Sequence, residues 1–550
     1  MARPRIAVFS GATSTIANSE PLVTSNKARA KYGLPALRGA DGGEPRFDAL
    51  RPQRLAAPAK VYVRQFSAHP LEADAAELYA APDGYVDASG AFHAERQSDA
   101  DVPVYEIELR PEDGLYPLPY MARQANGQAW EGDCTEPGAA AEFCRQPFYP
   151  DASRLFEEID RLGLGAGGTG NLLSSQADFH FYRAAPPSGY KKGLAAALRT
   201  DSGTGDIPPE ERGRDFWPYR PNHLRNEPPP EQLARLTNTV SRVLASGEYD
   251  GAIWLEGSPF VEETCYWLNL LVDCGVPICG NASQRPHGAA GNEGDRNIID
   301  SVRYIASRVW AGADGRNEIG VVVIRDQRIF SAREVQKGDA RPGGYIATGG
   351  HGGVIGGFIE GGPPAITFRP AARHTGTSAV ALTRLPASVR GLGGAAVPVK
   401  DGEALLESAI PAVGIVKHAR YSTLGVEEIE ARTARNLAAQ GLAGFIAEGA
   451  APYGSMSEEV DVALRKAVFQ GMPVVKVGRG NQEGFAPLGR QPFFLSGSNL
   501  SATKARLLLM AALLKLGALP AAADPANPTP AEAAAATARL AEYQDIFNTH

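Results

Sequence analysis

Two stretches of this sequence place small hydroxyl side chains directly behind a short apolar run. Ile6-Ala-Val-Phe9 breaks into Ser10-Gly-Ala-Thr-Ser-Thr-Ile-Ala17, and Ala252-Ile-Trp-Leu255 opens into Glu256-Gly-Ser-Pro-Phe-Val-Glu-Glu-Thr264. A buried strand that ends in such a turn is how an α/β enzyme offers a nucleophile at the carboxyl edge of its sheet. The same hydroxyls, Thr13, Ser14 and Thr15 among them, also suit a plain hydrogen-bonded turn.

The elements that must position these turns follow from periodicity. Leu233, Leu236, Val240, Val243 and Leu244 recur at helical spacing just before the run at Ala252. Ile298, Ile299, Val302, Ile305, Ala306 and Val309 do the same before Gly320-Val-Val-Val-Ile324. Helix-then-strand repetition with short Gly-rich joints predicts an α/β fold with a mostly parallel sheet covered on both faces. Between roughly Lys31 and Gly168 the pattern dissolves into Pro, Gly, Ala and charge, with short strands expected at Lys60–Val63 and Val104–Ile107. We read residues 31–168 as an insertion of loops, hairpins and short helices whose aromatics argue against disorder. A second shift at 385–403, with Gly391-Leu-Gly-Gly-Ala-Ala396, reads as a loop or linker. Beyond it Ala412–Val416, Ala443–Ala447 and Pro473–Val477 are strands of a smaller α/β domain, followed by an apolar helix at Leu507–Leu516 and a terminal helix. The expected division is 1–385, a linker over 386–409, and 410–550.

The chain has 550 residues, enough for two or three cores, and a net charge of −7 that argues against a nucleic-acid binder. Neither a membrane span nor a secretory leader is expected, so the sequence reads as cytoplasmic. Cys134, Cys144, Cys265, Cys274 and Cys279 show no CxxC spacing, which suggests neither a disulfide framework nor a structural zinc site. Cys265 and Cys274 are expected in the packing of an apolar helix. The histidines lack metal-ligand spacing, so neither a metal nor another cofactor is expected.

Several of these segments, in order, resemble the asparaginase/glutaminase family. Thr13-Ser-Thr-Ile-Ala17 is similar to its Gly-Gly-Thr-Ile-Ala element, which implies that Thr15 is the nucleophile. Ser174-Ser-Gln176 resembles the Ser-Gln substrate pair, giving Ser175 and Gln176. The element from Glu256 to Thr264 resembles His-Gly-Thr-Asp-Thr-Met-Glu-Glu-Thr, and Ser331-Ala-Arg-Glu-Val-Gln-Lys337 resembles Ser-Ala-Arg-Asp-Val-Thr-Lys, which puts the catalytic lysine on Lys337. Arg373-His-Thr375, a loop at Gly294–Asn297, Lys504–Leu509 and Asp545–Asn548 fall in the family's order. The resemblance covers about residues 1–30 and 170–550 and implies a large N-terminal and a small C-terminal α/β domain. It also implies a homotetramer with sites between subunits.

An amide is cleaved by attack at its carbonyl carbon, which needs a base for the hydroxyl and donors for the oxyanion. Ser258 keeps a hydroxyl where the family has threonine, and Lys337 is a base if burial depresses its pKa, forming a Ser–Lys pair. Pro259 is the departure. The family has an aspartate here that orients the lysine and binds the substrate's α-ammonium group, and proline offers neither charge nor N–H. Either the substrate lacks that α-amino group, or Glu256 or Glu483 restores a carboxylate. The expected activity is hydrolysis of a carboxamide, cyclic amide or imide bond, with classical L-asparagine disfavoured. The alternatives are a catalytically silent ligand-binding descendant and an L-asparaginase/glutaminase with a displaced carboxylate. The glycine-rich run Gly343–Gly357 lacks the strand-to-helix register of a nucleotide loop. It is expected as a loop beside the site, where His351 serves the scaffold.

Overall fold

The computed structural model describes residues 3–11, 22–23, 50–53, 59–63, 84–87, 92–109, 116–119, 155–156, 159, 172–183, 190–192, 232–258, 260–285, 291–347, 353–359, 362–418, 425–451, 454–479 and 492–550. Two compact units emerge: one gathers residues 1–228, 255–257 and 283–302, the other 229–254, 258–282 and 303–550.

In the first unit β1 (Arg5–Ser10) runs parallel to β2 (Asp178–Arg183), with Arg5 opposite Asp178 and Ser10 opposite Arg183. Ile6, Ala7, Val8 and Phe9 are all buried, which is why this strand reads as an unbroken apolar run rather than an alternation. Phe156 packs edge-on against Phe179 and Phe181 at 5.0 and 5.2 Å, and Phe9 stacks on Tyr182 at 5.3 Å. Described strands of the stretch 31–168, among them the two expected at Lys60–Val63 and Val104–Ile107, form a sheet with Leu22–Val23 from ahead of it. Leu22–Val23, Ala59–Val63, Val102–Leu109, Gly84–Val86 and Phe92–His93 pair in that order, each antiparallel to its neighbour. The alternation in Val102–Leu109, with apolar Val102, Val104, Ile107 and Leu109 set among Pro, Tyr and Glu, shifts register midway and does not announce a central place.

The second unit begins with α1 (Gln232–Ala245), whose buried Leu236, Val240, Val243 and Leu244 form the expected apolar stripe. Then come β3 (Gly251–Leu255), α2 (Val261–Leu271) and β4 (Ile278–Asn281). All but one residue of α2 is buried, as befits a helix apolar nearly all round. Gly294–Asn297, which belongs to the first unit and is expected as a loop, is instead the first turn of α3 (Gly294–Ser307), opened by the Asn292 side chain accepting from the Gly294 N–H at 2.8 Å. Next are β5 (Val322–Arg325), β6 (Arg328–Ser331), the paired strands β7 (Val335–Lys337) and β8 (Tyr345–Ala347), then β9 (Val354–Phe358) and β10 (Pro364–Ile366). Strands β3, β4, β5, β6, β9 and β10 are hydrogen-bonded in that order; β4 and β5 are parallel, and the pairs from β5 onward are antiparallel. The glycine-rich run is therefore not a loop throughout: both of its described ends are strands.

Residues 386–409 fold into two short hairpins, Ser388–Arg390 with Ala396–Pro398 and Lys400–Asp401 with Ala404–Leu405. The first turns through Gly393 and Gly394 at φ of 74° and 89°, which glycine adopts without a Cβ penalty. A four-stranded parallel sheet follows: β11 (Ala412–Lys417), β12 (Ala443–Gly449), β13 (Val474–Gly478) and β14 (Leu495–Ser496). Between its first three strands lie α4 (Gly425–Ala439) and α5 (Glu458–Phe469). The buried α6 (Ala502–Leu516) packs on α2 and on β11, β12 and β13, and α7 (Pro530–Thr549) packs on α6. No helix among the described residues is long and apolar enough to cross a membrane.

Candidate functional site

The two hydroxyl-bearing turns start side by side. Where β1 ends, the Gly11 N–H donates to the Leu255 carbonyl at 2.8 Å, at the point where β3 ends. Glu256, the next residue, is buried. Thr15, Pro259, Glu483 and His351 lie outside the described residues, as do Cys134 and Cys144. Ser174–Gln176 forms a turn that precedes β2, tied down where the Arg3 guanidinium donates to the Ser174 carbonyl at 2.7 Å. Because β1 and β2 are parallel and Arg5 faces Asp178, this turn stands at the amino edge and Gly11 at the carboxyl edge. Six residues of strand separate them, about 20 Å. Ser175 is exposed there. The parallel register thus does not bring Ser175 and Gln176 to the edge where the threonine turn departs.

In the second unit Ser258 and Lys337 converge on one residue that sequence reasoning missed. The Ser258 hydroxyl lies 2.7 Å from the Tyr345 phenol oxygen. Lys337 and Tyr345 are register partners across β7 and β8, so their side chains share a face. The Lys337 ammonium sits 4.8 Å from the centre of the Tyr345 ring and donates to the Arg341 carbonyl at 2.9 Å. The buried Arg325 guanidinium lies 4.6 Å from the same ring. A phenol face flanked by two cations is an electrostatically favourable arrangement. Tyr345 is buried, and that burial raises its pKa against the opposing pull of Arg325 and the Ser258 hydrogen bond, so the phenol keeps its proton at neutral pH.

Helix α2 and helix α6 hold this cluster from behind. The Glu262 carboxylate accepts from the Lys337 backbone N–H, which fixes the end of β7 against the first turn of α2. Burial raises the Glu262 pKa, opposed by Lys504 and by that N–H. Lys504 reaches back from α6 to donate to the Glu262 and Ala332 carbonyls at 2.5 and 2.6 Å, with its ammonium 5.2 Å from the Tyr266 ring centre. Complete burial pushes its pKa down to about 8, against the raising effect of Glu262. At the rim Arg506 pairs with Glu263 at 2.9 Å. The turn between β6 and β7 is locked by Ser331, whose hydroxyl donates to Glu334 at 2.6 Å, and by Arg333, which donates to Glu334 at 2.6 Å.

A further segment of the resemblance, Arg373–Thr375, lies at the C-terminal end of α2. Thr375 donates from its buried hydroxyl to the Val272 carbonyl at 2.6 Å, closing the C-terminal end of α2. Cys265, Cys274 and Cys279 are buried free thiols in and around that helix. Among the described residues no group of three His, Cys, Asp or Glu is arranged to hold a metal ion. The signal for Tyr345 was faint: one aromatic in a run of glycines. Glu262 and Lys504 lay inside segments already singled out, but their partners are distant in sequence.

Residues 226–346 match the family model described as the asparaginase N-terminal domain. An L-asparaginase of Bacillus licheniformis is 36% identical over 107 residues, which span 20% of this chain and 31% of that protein. A glutaminase-asparaginase of Acinetobacter glutaminasificans is 26% identical over 292 residues, 52% of this chain and 76% of that protein. A crystal structure of a probable cytoplasmic L-asparaginase from Campylobacter jejuni aligns with a TM-score of 0.43 and 22% identity, covering 58% of this chain and 81% of that one. Residues 226–346 are thus similar to the asparaginase N-terminal domain, and the chain resembles L-asparaginases and glutaminase-asparaginases at a distance. Against the Bacillus licheniformis enzyme the match spans about a third of the relative's length.

Proposed function

We propose that this protein is an amidohydrolase that cleaves a carboxamide, cyclic amide or imide C–N bond in a small substrate other than L-asparagine. The observation that supports this most is the meeting of Ser258, at the hydroxyl, and Lys337, at the ring, on one tyrosine. In this reading Lys337 reacts as its neutral amine: the Thr15 oxygen bonds to the carbonyl carbon while its proton passes through Ser258 to the Lys337 nitrogen, which becomes the ammonium. The C–N bond then breaks as the leaving nitrogen takes a proton back from the relay. Water attacks the threonyl ester, the relay accepts its proton, and the carboxylic acid leaves with Thr15 restored. Ser175 and Gln176, at the far edge of β1, are given no step. The family's assembly suggests a homo-oligomer, and the composition shifts suggest domains at 1–385 and 410–550 joined by 386–409. A cytoplasmic location belongs to the same reading.

The substitution at Pro259 favours a second reading, a ligand-binding descendant without catalysis, because proline supplies no carboxylate to orient the lysine. One experiment separates the two. Ammonia release is measured for wild type, Thr15→Ala, Lys337→Met and Pro259→Asp on succinamate, succinimide and L-asparagine. Hydrolysis by the wild type, with kcat lowered about 10²-fold or more in Thr15→Ala and Lys337→Met, supports the enzyme. An inert wild type whose Pro259→Asp variant gains activity on L-asparagine supports the silent descendant. Full activity in both Thr15→Ala and Lys337→Met removes the mechanism.

A further inference from the structure

The glycine-rich run was singled out for its backbone, yet its tyrosine makes the contact that counts. We propose that Tyr345 is the positioning residue of the relay: its phenol donates a hydrogen bond to the Ser258 oxygen, fixing the rotamer of that serine and turning its own hydrogen towards the site. This inference rests on the amidohydrolase reading above.

Three observations carry it. First, the two oxygens are 2.7 Å apart, the usual separation of an O–H···O bond. A phenol is the more acidic partner and therefore the better donor. Second, Tyr345 is not free to move. It is 1% exposed, paired with Lys337 across β7 and β8, and its ring lies 4.6 Å from the Arg325 guanidinium. A serine hydroxyl has one torsion and three staggered wells, so a fixed donor selects among them. Third, the residue that follows Ser258 is Pro259, whose side chain has neither a charge nor a hydrogen-bonding group to order the relay. Tyr345 supplies orientation from a different element, and it does so without a charge. Donation into the Ser258 oxygen also polarises the serine O–H, which makes it a better proton donor to the next group along.

The same geometry separates two functions of the tyrosine. Its ring holds Arg325 and Lys337, which is packing and electrostatics. Its hydroxyl touches Ser258, which is orientation. Tyr345→Phe keeps the first and removes the second.

The test measures steady-state ammonia release on succinamate, succinimide and L-asparagine for wild type, Tyr345→Phe, Ser258→Ala and the double variant. On whichever of these the wild type hydrolyses, Tyr345→Phe is expected to lower kcat about tenfold with KM within about twofold, the loss of one hydrogen bond made to the relay. In the Ser258→Ala background the same change is expected to have no further effect on kcat, because the phenol acts only through that serine. Thermal unfolding of each variant accompanies the kinetics, and a melting temperature for Tyr345→Phe close to wild type is expected. Wild-type kcat in Tyr345→Phe, or an equal loss of kcat with and without Ser258, overturns the positioning role while leaving the amidohydrolase reading intact. A wild type silent on all three amides removes both.

Discussion

At the scale of single residues, Lys504 is the most unusual group in the second unit: an ammonium fully buried between two backbone carbonyls. Burial lowers its pKa from 10.5 to about 8, so the folded protein disfavours the charged form that the unfolded chain retains. Between about pH 8 and 10.5 the unfolded state binds the extra proton, and stability therefore rises with pH in that window. Lys504→Met loses the charge and the two hydrogen bonds it donates to the Glu262 and Ala332 carbonyls, each worth about 1.5–3 kcal/mol as a bond from a charged group. The expected result is a variant less stable at pH 7, whose deficit relative to wild type widens from pH 8 to pH 10. Urea unfolding at a series of pH values reads this; a constant difference would remove the titration argument. Little of this was legible in the sequence. Lys504, Glu262 and Tyr345 were plain letters inside known segments, since a side chain's importance here comes from a partner 87 residues away for Tyr345 and 242 for Lys504.

At the scale of elements, the site depends on how closely α2 lies on β4. Gly280 in β4 faces the Cys265 sulfur of α2, and a Cβ at Gly280 would overlap that atom, with Val261 and Val323 crowding it at 3.2 and 3.3 Å. The glycine is required by this approach rather than by a turn. Gly280→Ala is expected to destabilise by about 1–3 kcal/mol through overpacking. Cys265→Ala removes the sulfur it meets, so the double variant should be more stable than Gly280→Ala alone. Differential scanning calorimetry compares the three, and simple additivity of the two losses would show that the clash is absorbed elsewhere. Because α2 carries Glu262 and begins three residues after Ser258, a shift of this helix also moves the relay. Helices α1, α2 and α6 and the strands of the small sheet were readable as elements, because periodicity and apolar runs are local properties. The strands among the glycines were not, because glycine gives no periodic signal and their pairing partners lie along other segments.

At the scale of the whole molecule, the last helix is fastened to the second unit through His550. Its carbonyl accepts from Arg333 at 2.5 Å and from the Tyr266 hydroxyl at 3.2 Å, and its ring nitrogen accepts from the Ala379 N–H at 2.9 Å. Burial pushes the His550 pKa down to about 4, so the folded state holds the ring neutral. The stability this contributes is complete above about pH 6.5 and is lost as pH falls through 4, on the order of 2 kcal/mol by pH 5. His550→Gln should lose less stability than wild type between pH 7 and pH 5, and parallel losses would show that the histidine is not responsible. The sequence by itself determined helices α1, α2 and α6, the strands of the small sheet, the two hydroxyl-bearing stretches and the proline after Ser258. These are properties of neighbouring residues. Only the tertiary structure decided that the two turns leave from adjacent strand ends and that Ser174–Gln176 stands at the opposite edge of β1. It alone brought Ser258 and Lys337 to the same tyrosine. The reason is physical: register and side-chain contact depend on how separate elements pack, and residues far apart in sequence meet only after that packing is set.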